Sequence, residues 1–206
     1  MVPAAQDEAL LAVLARARQA GFLGPAELRE QVAHAEGFLP ADACPVRAVD
    51  LGSGGGLPGL VLALRFPCST WVLLDASQRR TAQLTEAVAT LGLAGRVAVH
   101  RARAEEAGRD PLVRGTADLV VARSFGSPAV TAECAAPLLV VGGRLVVSEP
   151  PAGAARRWPA DALAPLGLVP GSRRRDRFGY QELRQVEACP ARFPRRVGIP
   201  AKRPLF

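Results

Sequence analysis

The sequence predicts an α/β fold, a doubly wound and mostly parallel sheet with helices on both faces. From residue 46 onward, short and almost continuously apolar runs alternate with helical segments, which is typical of a parallel sheet covered on both sides. The first run ends on a glycine-rich turn at residues 52–59, and a helix begins directly after it. Right-handed crossovers then bring this turn to the carboxyl edge of the sheet, where such folds bind ligands.

Two regions are predicted along the chain. Residues 1–44 are expected to form an N-terminal helical cap, and residues 45–206 the main domain, with a basic tail at about 189–206. In the cap, apolar residues at helical spacing predict helices at about 8–20 and 26–37, separated by a Gly/Pro-rich break.

The main domain is expected to contain five parallel strands and two later ones, the last of them antiparallel. The strands are predicted at residues 47–51, 71–75, 96–100, 118–122 and 144–148, and near 168–172 and 181–186. The helices are predicted at about 58–65, 79–91 and 128–139. Four prolines in the tail exclude a helix there and predict an extended, docked segment.

Composition limits the class of protein. With 206 residues and 49% hydrophobic content, the chain suits one core of ordinary size. No apolar run reaches about 18 residues, so no membrane span is expected. The acids Asp7 and Glu8 argue against an export signal. Cysteines at 44, 68, 134 and 189, without a C-x-x-C pair, predict reduced buried thiols, no metal site and a cytoplasmic location.

The glycine turn can be read in two registers. Gly54, Gly56 and Gly59 fit the G-x-G-x-x-G pattern of dinucleotide sites. Gly52, Gly54 and Gly56 fit the G-x-G-x-G loop of S-adenosylmethionine-dependent methyltransferases. Asp50, just before the turn, favours the second register, because a carboxylate repels a pyrophosphate and attracts an ammonium or a sulfonium.

A second acid, Asp75, ends the next apolar run, about 20 residues beyond the glycine turn, where doubly wound folds bind ribose hydroxyls. It supports an adenosine ligand without choosing the cofactor. The alternative is a strand-end aspartate that caps the next helix, and one residue can serve both roles.

Two later segments also follow strand ends. After the third strand, Glu105 and Glu106 either read an adenine amine or simply begin a short helix, and the sequence leaves both open. After the fourth strand, Arg123 offers a planar cation for a base edge or a phosphate, with a surface ion pair as the alternative. The acidic or amide residue before Pro-Pro that amino-methylating enzymes carry there is absent.

These motifs resemble the RsmG (GidB) family, which methylates guanine N7 in small-subunit ribosomal RNA. The matching segments are residues 50–59, 75 with 79–80, 103–106, 123–125, 137–139 with 142–143, and 194–205. Two features depart from the family pattern. The N-terminus lacks the Trp-Asn and Asn-Leu-Thr signatures, and Ser148-Glu149 stand where the family often has Lys-Gly.

The resemblance implies S-adenosylmethionine as the cofactor and assigns residues to it. Gly52, Leu57, Ala104, Glu105 and Arg123 would contact the cofactor, while Arg195 and Arg196 would lie near RNA. The glycine turn and the second acid add Asp50, Ser53, Gly54, Gly56 and Asp75 to the cofactor set. Arg123, Ser124, Lys202 and Arg203 join the expected RNA-binding set, and the net charge of +7 predicts an anionic partner.

Guanine N7 has a free lone pair and loses no proton when methylated, so no catalytic acid or base is expected. The expected partner is ribosomal RNA or the small subunit, bound by a monomer. Two alternatives stay open: a methyltransferase for another RNA site or a small molecule, and a non-catalytic RNA-binding protein on the same fold.

Overall fold

A computed structural model describes residues 4–39, 45–150 and 157–206. Within these segments the strands are β1 (Arg47–Leu51), β2 (Thr70–Asp75), β3 (Val97–Arg101), β4 (Ala117–Ala122), β5 (Leu139–Glu149), β6 (Leu168–Arg175) and β7 (Gly179–Gln185). The α-helices are α1 (Ala4–Gln19), α2 (Leu28–Glu36), α3 (Gly59–Arg65), α4 (Gln78–Thr90), α5 (Ala104–Ala107), α6 (Pro128–Ala135), α7 (Ala160–Leu163) and α8 (Ile199–Lys202). Short 3-10 helices at Ala136–Leu138 and Ala164–Leu166 follow α6 and α7.

The strand order β3-β2-β1-β4-β5-β7-β6 confirms the doubly wound sheet. Strands β1 to β5 run parallel, and β7 lies antiparallel between β5 and β6, as expected of the C-terminal strand. Strands β1, β2 and β3 follow one another toward one edge of the sheet, and the strands from β4 onward lie toward the other edge. The order therefore reverses between β1 and β4, which opens a crevice at their carboxyl ends.

Helices cover both faces of the sheet, each over its own hydrophobic core. Helices α1 to α4 pack on one face, around the fully buried Trp71, Leu73 and Val121. Helices α5 to α7 and part of the tail pack on the other face, around Leu74 and Leu145. Strands β1 and β4 are buried almost throughout because both of their sides are covered.

The two N-terminal helices extend the first face. Leu10 and Leu14 of α1 belong to the same core as the sheet. Arg65 of α3 donates hydrogen bonds to Asp7 of α1 at 2.9 Å and to Glu36 of α2 at 2.7 Å. In the described segments, no helix is both long and apolar enough to cross a membrane.

Three local expectations were wrong. The tail does contain a helix, α8, because Pro200 lies in its first turn, where the missing N–H is not needed. Strand β5 begins earlier than predicted because its pairing with β4 shifts between Ala117 and Leu119, which accommodates extra residues. Cys68 is exposed, whereas Cys134 is buried as expected. Cys44 and the cap boundary lie outside the described residues.

Candidate cofactor and substrate site

Backbone N–H groups of the glycine turn form hydrogen bonds to the last two residues of β2. The N–H groups of Gly52 and Ser53 both donate to the Leu74 carbonyl oxygen, at 2.8 and 3.0 Å. The next N–H, of Gly54, donates to Asp75 Oδ2 at 3.0 Å. Three successive N–H groups are thus satisfied within the protein. A phosphate-binding turn instead presents such groups to its ligand.

Two glycines of the turn allow close approach of side chains. Gly52 has φ 75°, and a Cβ there would lie 2.5 Å from Cδ2 of Phe125. Gly56 has φ 101° and packs against Leu60. Leu57, which follows, is buried and lines the cleft described below. The turn therefore needs glycine at both positions.

Asp50 lies beneath the turn, fully buried. Its Oδ2 accepts the N–H of Gly59 at 2.9 Å, while its Oδ1 has no partner among the described residues. Burial raises the pKa of this carboxyl from 3.8 to about 7, against the opposing hydrogen bond from Gly59. The sequence predicted that this carboxylate faces the ligand; in the structure it faces the start of α3.

Asp75 is buried at the end of β2 and borders the cleft. Its Oδ2 accepts the N–H of Gly54, and its Oδ1 accepts the N–H of Ser77 at 2.8 Å. Ser77, rather than Asp75, is the N-cap of α4. Asp75 therefore joins the glycine turn to the start of α4 and still lines the cleft.

The cleft has two lobes at the carboxyl edge of the sheet, joined at Gly52, Arg80 and Ser124. The first, here called the β2 lobe, has a volume of about 300 Å³. It is lined, among others, by Asp75, Ala104, Glu105 and Phe125. The second, the glycine lobe, has a volume of about 250 Å³. It is lined, among others, by Ser53, Gly54, Leu57, Gln31 and Arg123. Most of the predicted cofactor residues thus border one or the other of these two adjoining lobes.

Another cavity, of about 540 Å³, lies at the opposite, amino edge of the sheet, near Arg47 and Arg96. Ligands of open α/β sheets bind at the carboxyl ends of the strands, so its larger size does not make it the cofactor site. Among the described residues, no group of three or more His, Cys, Asp or Glu side chains could hold a metal ion.

Arg123 and Ser124 follow β4 and border the glycine lobe. Arg123 Nη2 donates to Gln31 Oε1 at 3.0 Å, and its buried Nη1 has no partner among the described residues. Burial lowers the pKa of this guanidinium, and Tyr180 and Asp50 oppose that effect. Ser124 has φ 54°, a backbone conformation uncommon for a residue with a Cβ. Such strain often marks functional sites.

The segment after β3 begins a short helix, which is one of the two roles left open by the sequence, and it also borders the β2 lobe. Helix α5 begins at Ala104, and the N–H of Arg103 donates to Glu106 Oε2 at 3.1 Å. Glu105 borders the β2 lobe, and its Oε1 accepts the N–H of Gly198 in the tail at 2.9 Å. Ala201 of the tail also lines this lobe. The tail therefore helps to build the cleft.

The basic residues of the tail divide into two kinds. Arg195 Nε and Nη2 donate to the fully buried carboxylate of Glu133, at 2.8 and 2.6 Å, and Nη2 also donates to the Arg203 carbonyl oxygen. The side chain predicted to bind RNA is thus engaged inside the protein. Arg196, Lys202 and Arg203 are exposed, as RNA contact requires.

Glu149, at the end of β5, is not a free anion beside the cleft. Its Oε1 accepts hydrogen bonds from Arg157 Nη1 at 2.9 Å and Trp158 Nε1 at 3.0 Å. Arg173 lies 3.8 Å from its Oε2. The negative charge that Glu149 introduces in place of the family's Lys-Gly pattern is therefore balanced by nearby arginines.

Sequence reasoning missed the part of the site that the N-terminal region supplies. Phe22, Leu23, Gly24 and Gln31 line the glycine lobe. The only sequence signal was the Gly/Pro-rich break between the two helices, which indicates a turn but not its neighbours.

Comparison with known proteins then settles the family. The family model described as rRNA small subunit methyltransferase G (GidB) matches residues 32–149. A curated relative of that name from Prochlorococcus marinus (strain MIT 9313) is 41% identical over 169 residues, covering 78% of this chain and 68% of the relative. This chain belongs to the rRNA small subunit methyltransferase G family. Another member, from Synechococcus sp. (strain CC9902), is 36% identical over 175 residues, covering 78% and 70%.

Solved structures agree on the class I methyltransferase fold. An O-methyltransferase family protein from Burkholderia thailandensis superimposes with a TM-score of 0.60 at 18% identity, covering 76% of this chain and 56% of that one. The T. thermophilus 16S rRNA N2 G1207 methyltransferase, in complex with AdoMet and guanosine, gives 0.55 at 22% identity, covering 78% and 40%. At these identities the likeness extends to the fold alone.

Proposed function

We propose that this chain transfers a methyl group from S-adenosylmethionine to N7 of a guanine in small-subunit ribosomal RNA, in the cytoplasm. The observation that carries the cofactor assignment is the hydrogen bonding of the glycine turn. The N–H groups of Gly52, Ser53 and Gly54 are already used, and the carboxylate of Asp75 lies beside them. A pyrophosphate would find few free N–H groups in the turn, and the Asp75 carboxylate, partly balanced by Arg80 at 3.7 Å, would repel it. A cationic ligand meets no such penalty.

The polar groups of the cleft fit the chemical parts of this cofactor. Asp75 borders the β2 lobe, and its oxygens keep lone pairs for ribose hydroxyls. Arg123 borders the glycine lobe, where a carboxylate is the natural partner of its guanidinium, while its Nη1 is enclosed without a partner among the described residues. The proposed cofactor set comprises Gly52, Ser53, Gly54, Gly56, Leu57, Asp75, Ala104, Glu105 and Arg123, with Asp50 beneath them.

The bound cofactor supplies an electrophilic methyl group on a sulfonium. Guanine N7 offers its lone pair and releases no proton, so the protein needs no general base. Its residues have to orient the base, exclude water and hold the reacting atoms at contact distance. Ser124 borders both lobes, which supports the proposal that it contacts the substrate.

The exposed cations around the cleft are proposed to bind the RNA backbone. Arg80 and Arg103 line the β2 lobe, and Lys202 and Arg203 directly follow Ala201 at the same lobe. Arg196 lies exposed in the same tail. Such contacts release counterions, so RNA affinity should fall as salt rises.

The test is a methyl-transfer assay with labelled S-adenosylmethionine. Its substrates are small ribosomal subunits and naked small-subunit RNA, followed by mapping of the modified base. We expect one labelled guanine, methylated at N7, and transfer that weakens with salt. Transfer to small molecules without RNA would instead support the small-molecule alternative. RNA binding without detectable cofactor binding would support the non-catalytic one.

A further inference from the structure

The α1–α2 linker, residues 20–27, lies against the glycine turn. A Cβ built on Gly55 would be 2.6 Å from the Leu23 side chain and 3.1 Å from the Phe22 carbonyl oxygen. The Phe22 ring also lies under two guanidinium groups at the start of α4, Arg79 at 5.6 Å and Arg80 at 6.0 Å. The linker thus forms one wall of the glycine lobe and is itself held in place from the other side of the turn.

Gln31 joins this linker to the rest of the site. It is 3% exposed and belongs to α2, one of the helices on the first face of the sheet. Its Nε2 donates to the carbonyl oxygens of Gly24 and Ala26, at 3.2 and 3.0 Å. Its Oε1 accepts from Arg123 Nη2 at 3.0 Å. Both ends of one buried amide are therefore in use, one on the linker and one on Arg123.

The Arg123 guanidinium needs this support. It is largely buried, and its Nη1 is enclosed without a partner among the described residues, so the hydrogen bond to Gln31 Oε1 has a large part in holding it. A neutral amide fixes the guanidinium plane without neutralising its charge. The cation can then pair with an anion in the glycine lobe.

We propose that Gln31 is a positioning residue for the cofactor. It holds the α1–α2 linker over the glycine turn and presents the Arg123 guanidinium to the α-amino-acid carboxylate of the cofactor. This inference rests on the proposed function and deepens it. It gives the N-terminal region a part in cofactor binding, although Gln31 and the linker precede the residues that match the family model.

A double-mutant cycle tests the proposal, with S-adenosylhomocysteine as the probe and calorimetry as the measurement. The variants are Gln31→Met, Arg123→Met and the double variant. Methionine has about the length of glutamine but cannot form the hydrogen bonds of its amide. If Gln31 acts through Arg123, Gln31→Met weakens binding about tenfold, as expected when a hydrogen bond to a charged group is misdirected. Because Gln31 also holds the linker, the double variant binds somewhat more weakly than Arg123→Met, but its loss is clearly smaller than the sum of the two single losses.

Arg29→Ala, an exposed change on the same helix, is the matched control and should bind like the wild type. Additive losses in the cycle, or a Gln31→Met variant that binds normally, would overturn the positioning role. If Gln31→Met does not fold, amide hydrogen exchange of the wild-type linker decides. Slower exchange at residues 20–27 with S-adenosylhomocysteine supports the proposal, and unchanged exchange contradicts it. Absence of binding by the wild type would instead refute the proposed cofactor.

Discussion

Asp50 shows how one buried side chain can couple the fold to pH. Its carboxylate is fully enclosed, accepts one N–H, and leaves Oδ1 unpartnered among the described residues. Burial without full compensation favours the protonated form, which is why its pKa lies near 7. Arg123 and Asp75 act on it in opposite directions. A carboxyl group of this kind binds a proton more tightly in the folded chain than in the unfolded one.

That difference predicts a pH dependence of stability. Between about pH 4 and about pH 7 the folded state holds a proton at Asp50 that the unfolded state has released. Stability from this group therefore falls as pH rises through that window and stays level above it. Chemical denaturation of wild type and Asp50→Asn at several pH values measures it. The free energy of unfolding of the wild type should decline relative to that of the variant, whereas a constant difference would contradict the assignment.

Gly59 makes a second residue-scale prediction. A Cβ there would lie 2.5 Å from both Asp50 Oδ2 and Leu73 Cδ2. Alanine is the better helix former by about 1 kcal/mol at most. Overpacking a buried site costs about 1–3 kcal/mol, so the clash should win and Gly59→Ala should lower the free energy of unfolding. Gly95→Ala, which would meet nothing within 4 Å, is the control and should cost nothing. Equal stabilities of the two variants would argue against the tight packing of Gly59.

At the scale of elements, the tail packs against the domain and stabilises it, in addition to presenting basic residues at the surface. Arg114 donates hydrogen bonds to the carbonyl oxygens of Cys189 and Phe193, each at 2.7 Å. Arg195 neutralises the buried Glu133. Neighbouring cations of the tail therefore have different roles: some hold the tail to the domain, and others are exposed to solvent. The sequence alone does not distinguish them.

This division predicts different consequences for adjacent residues. Arg195→Ala leaves the Glu133 carboxylate buried and unpaired, and should cost about 2–4 kcal/mol of stability, allowing for partial exposure of the arginine. Arg196→Ala should change stability by less than about 0.5 kcal/mol. It should instead weaken RNA binding and reduce its salt slope. Thermal unfolding and filter binding at several salt concentrations separate the two effects. If Arg196→Ala lowered stability and Arg195→Ala affected only RNA binding, this assignment of the two arginines would be wrong.

Much of the sheet could be predicted from the sequence because apolar runs and the glycine turn after β1 are recognisable within a few neighbouring residues. The run 47–51 matches β1 at both ends. The short helices α5, α7 and α8 were missed or left open because four-residue helices depend on tertiary contacts more than on periodicity. For the same reason, the sequence could name Asp75 and Arg123 as site residues but could not find Gln31. Its role comes from long-range hydrogen bonds, not from a motif.

For the whole molecule, the two N-terminal helices and the tail both converge on one edge of the sheet. The glycine lobe contains linker residues, and the β2 lobe contains Ala201 of the tail. The cleft is thus assembled from the two ends of the described chain around the switch point between β1 and β4. Exposed cations, among them Arg80 and Arg103, border the same cleft as the buried Asp75. The charges proposed for RNA and those proposed for the cofactor therefore lie at the same edge of the sheet, with Arg80 Nη1 3.7 Å from Asp75 Oδ2.

Titration calorimetry of the wild-type protein with S-adenosylmethionine and with NAD tests the central claim most directly. A turn whose N–H groups are already bonded, next to a carboxylate, should bind the sulfonium compound and give no detectable heat with the dinucleotide. Binding of NAD in the absence of any response to S-adenosylmethionine would contradict the account.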